Sequence, residues 1–196
     1  MTIKIYGDSI SGNCLKVKWT LEYLDIPYRW IETSVLQAET RTPDFLALNP
    51  AGQVPMVVFP DGRVLAQSNA IISHLAEGSV LIPSDRYARA KMLEWMFWEQ
   101  YSHEPYVAVA RFHLTYLGKT PADLAPNLIE RANAALKRME AALGDGGFLV
   151  GEECSLADVA LVAYTRVAHE GGLDLALYPA VRAWVARVEA ALNITD

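Results

Sequence analysis

The stretch NPAGQVPMVVFPDGRVLAQSNAI, residues 49–71, decides the fold of the region around it. Its Asn49-Pro50-Ala51-Gly52 opening is a break. Val54–Phe59 and Arg63–Leu65 read as two strands on either side of Pro60-Asp61-Gly62, a good hairpin signal. Pro55 lies inside the first strand, where it has no N–H to give to a ladder. A cis bond there would turn the backbone amide and carbonyl of Val54 out of the sheet, where they could pair with a peptide-like ligand. Gln67-Ser68-Asn69 then opens a helix through Ala76, with Ser68 the expected N-cap. A hydroxyl and free amides at that helix start suit a carboxylate, and Gln67 carries both a donor and an acceptor.

Upstream, Ile3–Tyr6 alternate as a short strand and Gly7–Gly12 are turn-rich. From about Asn13 a helical stripe runs through Cys14, Val17, Leu21 and Leu24 until Asp25–Pro27 stop it. Tyr28–Thr33 form a second strand candidate, and a strand–helix–strand unit favours parallel pairing. The polar stretch Gln37–Pro43 leads into Phe45, Leu46 and Leu48. The order is therefore β-α-β, an irregular segment, then β-β-α.

Downstream the character changes, and a boundary is placed near residues 77–84. Everything beyond it reads as helical. Ser84 is the expected cap of a long helix running past Trp95 and Tyr101, with a kink at Pro105. Leu128, Ala132, Ala135, Met139 and Leu143 form one apolar stripe. Val181, Trp184, Val188 and Leu192 form another, entered through Tyr178-Pro179. Between them Ser155 and Asp158 have capping-box spacing, with Cys154 and Val159 at the two staple positions. That is a folding device and carries no chemistry.

Composition narrows the function classes. With 52% hydrophobic and 20% charged residues, the 196-residue chain can fill a globular core. No apolar run approaches the length of a membrane helix, and the N-terminus lacks a secretory signal pattern. A soluble, cytoplasmic protein is expected. The net charge of −6 comes without a basic block, which argues against nucleic acid or an anionic membrane as partner. Two cysteines, Cys14 and Cys154, are too few for a zinc site or disulfide framework and suit a reducing compartment. No His-Glu-x-x-His pattern follows His103, so no metal is expected.

Ser11-Gly12-Asn13-Cys14 stands where the first strand meets the first helix. A helix N-terminus carries unpaired amides and about half a positive charge. A hydroxyl there can donate to an anion, including a thiolate; with no base beside it, Ser11 would act as donor only. Lowering a thiol pKa by two units from about 8.5 takes roughly 2.7 kcal/mol. One hydrogen bond to a charged group supplies about 1.5–3 kcal/mol, and the helix end roughly 0.3–1. Ser11 could equally be a plain helix cap. Cys14, on the buried stripe, reads as core.

The order of these motifs resembles the glutathione transferase superfamily over Thr2 to about Leu192. A strand, a Ser-x-x-Cys helix start, Asn-Pro-x-Gly-x-Val-Pro, Asp-Gly-x-x-Leu-x-Gln-Ser-x-Ala-Ile, a linker and the capping box recur in that sequence. The stretches 99–106 and 170–175 resemble bacterial theta-like, serine-type members. The resemblance implies an α/β plus all-α architecture: a thioredoxin-like glutathione-binding domain at 1–78 and a helical domain at 84–196 that forms the second-substrate pocket. It implies that Ser11 hydrogen-bonds the glutathione sulfur, with Asn13 nearby. It also implies that the Val54 backbone pairs with the cysteinyl moiety and that Gln67 and Ser68 hold the γ-glutamyl end. Gln53 replaces a common basic residue, so its grip on the glycyl carboxylate would be weaker, and Arg41 could compensate.

In this family the second-substrate pocket lies between the Ser11 loop and the long first helix of the helical domain. His103, Tyr106 and Arg111, with Phe112, are the candidates to line it. The chain stops soon after the Trp184 helix, so an open site without a lid is expected. A detoxifying homodimer that conjugates glutathione to hydrophobic electrophiles is the leading expectation. Serine in place of the first cysteine of a Cys-x-x-Cys pattern argues against an omega-like thiol transferase. Two alternatives stand beside it. One is a non-catalytic or regulatory glutathione-binding protein; the other is a glutathione-dependent isomerase, peroxidase or disulfide reductase.

Overall fold

The computed structural model describes residues 2–144 and 146–195. It divides into two compact units, Met1–Ser79 and Val80–Asp196; the terminal residues Met1 and Asp196 of the expected domains lie outside the described residues. The first unit runs β1 (Ile3–Gly7), α1 (Gly12–Tyr23), β2 (Tyr28–Glu32), α2 (Pro43–Leu48), β3 (Met56–Val58), β4 (Val64–Ala66) and α3 (Ser68–Leu75). Its four strands stand in the order β2-β1-β3-β4. β1 and β2 are parallel, with Ile3 opposite Tyr28, as a strand–helix–strand unit demands. β3 runs antiparallel to both β1 and β4. This is the thioredoxin-like arrangement. Ile5, Cys14, Val17, Leu21, Met56, Val57, Ile71 and Ile72 are buried and form its interior.

Two boundaries of this unit differ from the sequence reading. β3 begins only at Met56, because the Val54–Pro55 peptide is cis and Pro55 has no ladder donor. Ser68 is not the cap of α3 but its first residue; Gln67 takes the cap position with φ 72°. The first turn of α3 is thus entered from a left-handed residue, which frees the Ser68 hydroxyl from capping.

The second unit is all helical: α4 (Arg86–Trp98), α5 (Glu104–Arg111), α6 (Leu128–Leu143), α7 (Leu156–Thr165) and α8 (Pro179–Ala191). All ten residues of α7 are buried, as expected of a helix that is apolar all round and lies at the centre of a bundle. The stripes predicted on α6 and α8 are buried as well. The cap of α4 is Asp85 rather than Ser84, its carboxylate accepting from the Ala88 amide at 2.8 Å. The expected kink at Pro105 is replaced by a π-helical turn over Glu99–His103, in which the Glu104 amide reaches back to the Glu99 carbonyl. Proline cannot supply the i→i−4 donor, and a widened turn upstream absorbs the missing bond. A second π turn, Phe112–Tyr116, follows α5. No helix among the described residues is long and apolar enough to cross a membrane.

Candidate functional site

Strand register assembles the site in the first unit. Tyr6 pairs with Met56, and Met56 pairs with Ala66. The loop that follows β1, the cis peptide that precedes β3 and the residues that follow β4 therefore emerge at the same end of the sheet. Ser11, Val54 and Gln67-Ser68 lie in those three segments.

The first of these loops is held by two carboxylates. Asp8, which is buried, accepts from the Ile10 amide at 3.1 Å and from the Val35 amide at 2.7 Å. Its carbonyl accepts from the Ser11 amide at 3.0 Å. Glu32 accepts from the Ser9 amide at 2.8 Å and from the Trp30 indole at 2.7 Å. Those bonds hold the Glu32 carboxyl below its usual range despite the cost of partial burial. Gly7 is required beside them, because a Cβ there would collide with the Trp30 ring. Asp8 was missed in the sequence; its spacing to Ile10 is that of an Asx turn, a readable but common signal.

Ser11 sits at the N-cap of α1, and its carbonyl accepts from Cys14 and Leu15, both at 3.0 Å. Its hydroxyl makes no capping bond; instead it hydrogen-bonds the thiol of Cys14. Burial pushes that thiol up to about 11, a rise that the Ser11 and Asp8 hydrogen bonds only partly offset. Cys14 is therefore a protonated core residue at neutral pH.

Asn13 joins the two helix starts. The Ser68 hydroxyl of α3 donates to its Oδ1 at 3.2 Å, and the Lys16 ammonium donates to the same oxygen at 2.8 Å. Around the cis peptide, the Asn49 amide holds the Gln53 carbonyl at 2.8 Å. The Arg41 guanidinium lies over Gly52, where a Cβ would strike it. Both Gln53 and Gln67 are exposed. Gln67 has a left-handed φ of 72°, a backbone state that non-glycine residues adopt at a cost and that clusters at ligand clamps.

In the second unit the three candidates are committed to neighbours within the helical bundle. His103 is fully buried and meets the Thr165 hydroxyl at 2.9 Å. Thr165 spends its proton on the Leu161 carbonyl at 2.7 Å, so His103 Nε2 must be the protonated donor. The Tyr106 hydroxyl accepts from Arg131 at 2.7 Å. Arg111 donates to Glu170 and to the Tyr116 hydroxyl, both at 2.7 Å, and its guanidinium stacks on the Tyr116 ring. Arg111, Tyr116 and Glu170 thus form one cluster; Gly171 lets that segment approach α5, since a Cβ there would crowd the Arg111 amide. Among the described residues no group of three or more His, Cys, Asp or Glu could hold a metal.

Comparison with known proteins agrees with this fold. Residues 10–77 match the model of the glutathione S-transferase N-terminal domain, and residues 95–191 that of the C-terminal domain. Glutathione S-transferase 3 of Zea mays is 31% identical over 194 residues, covering 93% of this chain and 86% of the maize protein. A disulfide-bond oxidoreductase of Escherichia coli, YfcG, is 28% identical over 186 residues, covering 89% and 85%. The crystal structure of a glutathione S-transferase from Pseudomonas fluorescens Pf-5 superposes with a TM-score of 0.93 at 46% identity, covering 97% of this chain and 96% of that one. The two domain models occupy most of the sequence in the expected order, and the maize and Pseudomonas proteins match it nearly end to end. The chain belongs to the glutathione S-transferase family.

Proposed function

We propose that the protein is a theta-like, serine-type glutathione transferase that conjugates glutathione to hydrophobic electrophiles. The observation that carries this reading is the convergence of three segments at one end of the sheet, with the Ser68–Asn13 hydrogen bond linking the starts of α1 and α3. In this reading the Ser11 hydroxyl and the α1 N-terminus stabilise the glutathione thiolate, with Asn13 beside them. The Val54 backbone pairs with the cysteinyl moiety. The α3 start, Gln67-Ser68, takes the γ-glutamyl carboxylate, and Arg41 with Gln53 faces the glycyl end. The thiol proton passes to solvent, the sulfur forms a bond to the electrophilic carbon, and the leaving group departs with its electron pair. A protonated Cys14 cannot replace that sulfur as nucleophile.

The second-substrate roles of His103, Tyr106 and Arg111 differ in support. Arg111 with Tyr116 offers a charged aromatic cluster, whereas His103 would act only by supporting the α4–α5 junction. We also propose a detoxifying, cytoplasmic homodimer. The exposed row Leu93, Phe97 and Tyr101 on α4 and its π turn supports dimerisation.

Ser11→Ala is the decisive variant. Turnover of an electrophilic aryl halide should fall about tenfold or more, while glutathione affinity measured by calorimetry stays near that of the wild type. Unchanged turnover would remove Ser11 as activator. The likeness to the E. coli disulfide-bond oxidoreductase favours a second reading, glutathione-dependent disulfide reduction. With serine at position 11 and Cys14 buried, that reaction would run on glutathione thiols alone. Assays on mixed disulfides and hydroperoxides beside the aryl halide separate the two.

A further inference from the structure

A lysine inside a protein needs a partner, because an unpaired ammonium away from water is very costly. Lys16 is 0% exposed, and its ammonium lies 2.8 Å from Asn13 Oδ1. An ammonium has three donors and no acceptor. The Asn13 atom it meets must therefore be the carbonyl oxygen; the flipped carboxamide would set donor against donor. The Ser68 hydroxyl, 3.2 Å from the same oxygen, must then donate to it and spend its only proton there. Hydrogen-bond polarity thus runs inward from both sides, from Lys16 and from Ser68, onto one oxygen.

We infer that Lys16 is a positioning residue that fixes the carboxamide of Asn13 and so sets the polarity of the glutathione site. This inference rests on the proposed glutathione reading. With the oxygen held by Lys16 and Ser68, the Asn13 NH2 is turned away from both, and in the proposed glutathione site it is the donor directed at the sulfur. Ser68, its proton committed, offers the γ-glutamyl end its backbone amide and hydroxyl lone pairs. The sulfur and γ-glutamyl subsites are coupled through one oxygen, and Lys16 decides which way that coupling points. Lys16 itself touches neither substrate in this account.

The test uses Lys16→Met, which keeps the bulk of the side chain and removes the donor, and Lys16→Gln, which keeps an N–H. In 15N-labelled protein without glutathione, the side-chain amide cross-peaks of Asn13 should shift in K16M and return toward wild type in K16Q. With glutathione bound, K16M should raise the pH at which the thiol ionises and lower kcat/KM by about five- to tenfold. In an Asn13→Ala background the K16M substitution should add little, because its effect passes through Asn13. If K16M does not fold, K16Q and Asn13→Asp decide: N13D keeps acceptors for Lys16 and Ser68 but has no NH2, and should lose thiol activation as N13A does. Unmoved Asn13 cross-peaks in folded K16M, a wild-type thiol ionisation in that variant, or full additivity with N13A would each overturn the proposal. Absence of glutathione binding by the wild type would instead defeat the functional reading, and the cross-peaks would still judge the hold of Lys16 on Asn13.

Discussion

Three side chains within the first two turns of α1 behave in three ways, and their surroundings say why. Ser11 is half-buried, and its hydroxyl caps nothing and rests on the Cys14 thiol. Cys14 is interior, and Lys16 is interior and paired. The loss of turnover expected for Ser11→Ala belongs here, since a single donor to a thiolate is being removed. A second expectation concerns the thiols. Burial raises Cys14 from 9.0 to about 11 and drives Cys154 up as well. The native protein should therefore resist iodoacetamide at pH 8, while both cysteines alkylate in denaturant; ready labelling of native Cys14 would contradict the assignment. Between pH 9 and 11 the folded state holds the Cys14 proton that the unfolded chain releases, so this group's contribution to stability falls as pH rises through that window. Ser11 was a candidate in the sequence because a hydroxyl at a strand-to-helix junction can either cap the helix or donate to an anion. Lys16 was not: one helical stripe accounts for Cys14, Val17 and Leu21, and a long cationic side chain off that stripe reads by default as solvated. α1 is buried on more than one face, which periodicity alone does not reveal.

At the scale of elements, the capping box before α7 is the clearest match between sequence and structure, and it is more than a local device. Asp158 is buried and accepts from the Ser155 amide at 2.9 Å and the Ser155 hydroxyl at 3.0 Å. It also accepts from the Leu149 amide at 2.9 Å and the Trp184 indole at 2.8 Å. One carboxylate thereby ties the α7 start to the preceding loop and to α8. Burial raises its pKa, opposed by those donors. Asp158→Asn should destabilise the protein by about 2–3 kcal/mol, because an amide NH2 must face donors in either orientation. Ser155→Ala should cost only about 1 kcal/mol. Urea titration of both variants checks the order, and a D158N protein as stable as wild type would refute the hub role. Spacing made this box readable. The same logic failed at α4, where Ser84 and Asp85 are adjacent acceptors and only the backbone geometry selects Asp85. Pro105 announced a fault in the helix, but nothing in residue type distinguishes a kink from the π turn at Glu99–His103.

For the whole molecule, the telling feature is what the helical unit leaves uncovered. Phe97 is 73% exposed and Tyr101 83%, with Leu93 and Tyr87 also open to solvent. Leu93, Phe97 and Tyr101 are spaced by four residues and follow one side of the α4 segment. Isolated apolar groups on a surface need no explanation, but a row of large ones costs solubility unless it is covered. A two-fold axis across such a row is an economical cover, because each side chain then meets the same patch on its partner and every contact counts twice. The proposed homodimer supplies that cover. Phe97→Glu combined with Tyr101→Glu would set like charges against one another across the axis, where no counter-charge has been added. Light scattering should then report a mass near the 21.7 kDa of one chain, against twice that for the wild type. Helical content should be unchanged, since neither side chain belongs to the core. A doubly substituted protein that keeps the dimeric mass would place the interface elsewhere, and a monomeric wild type would end the proposal.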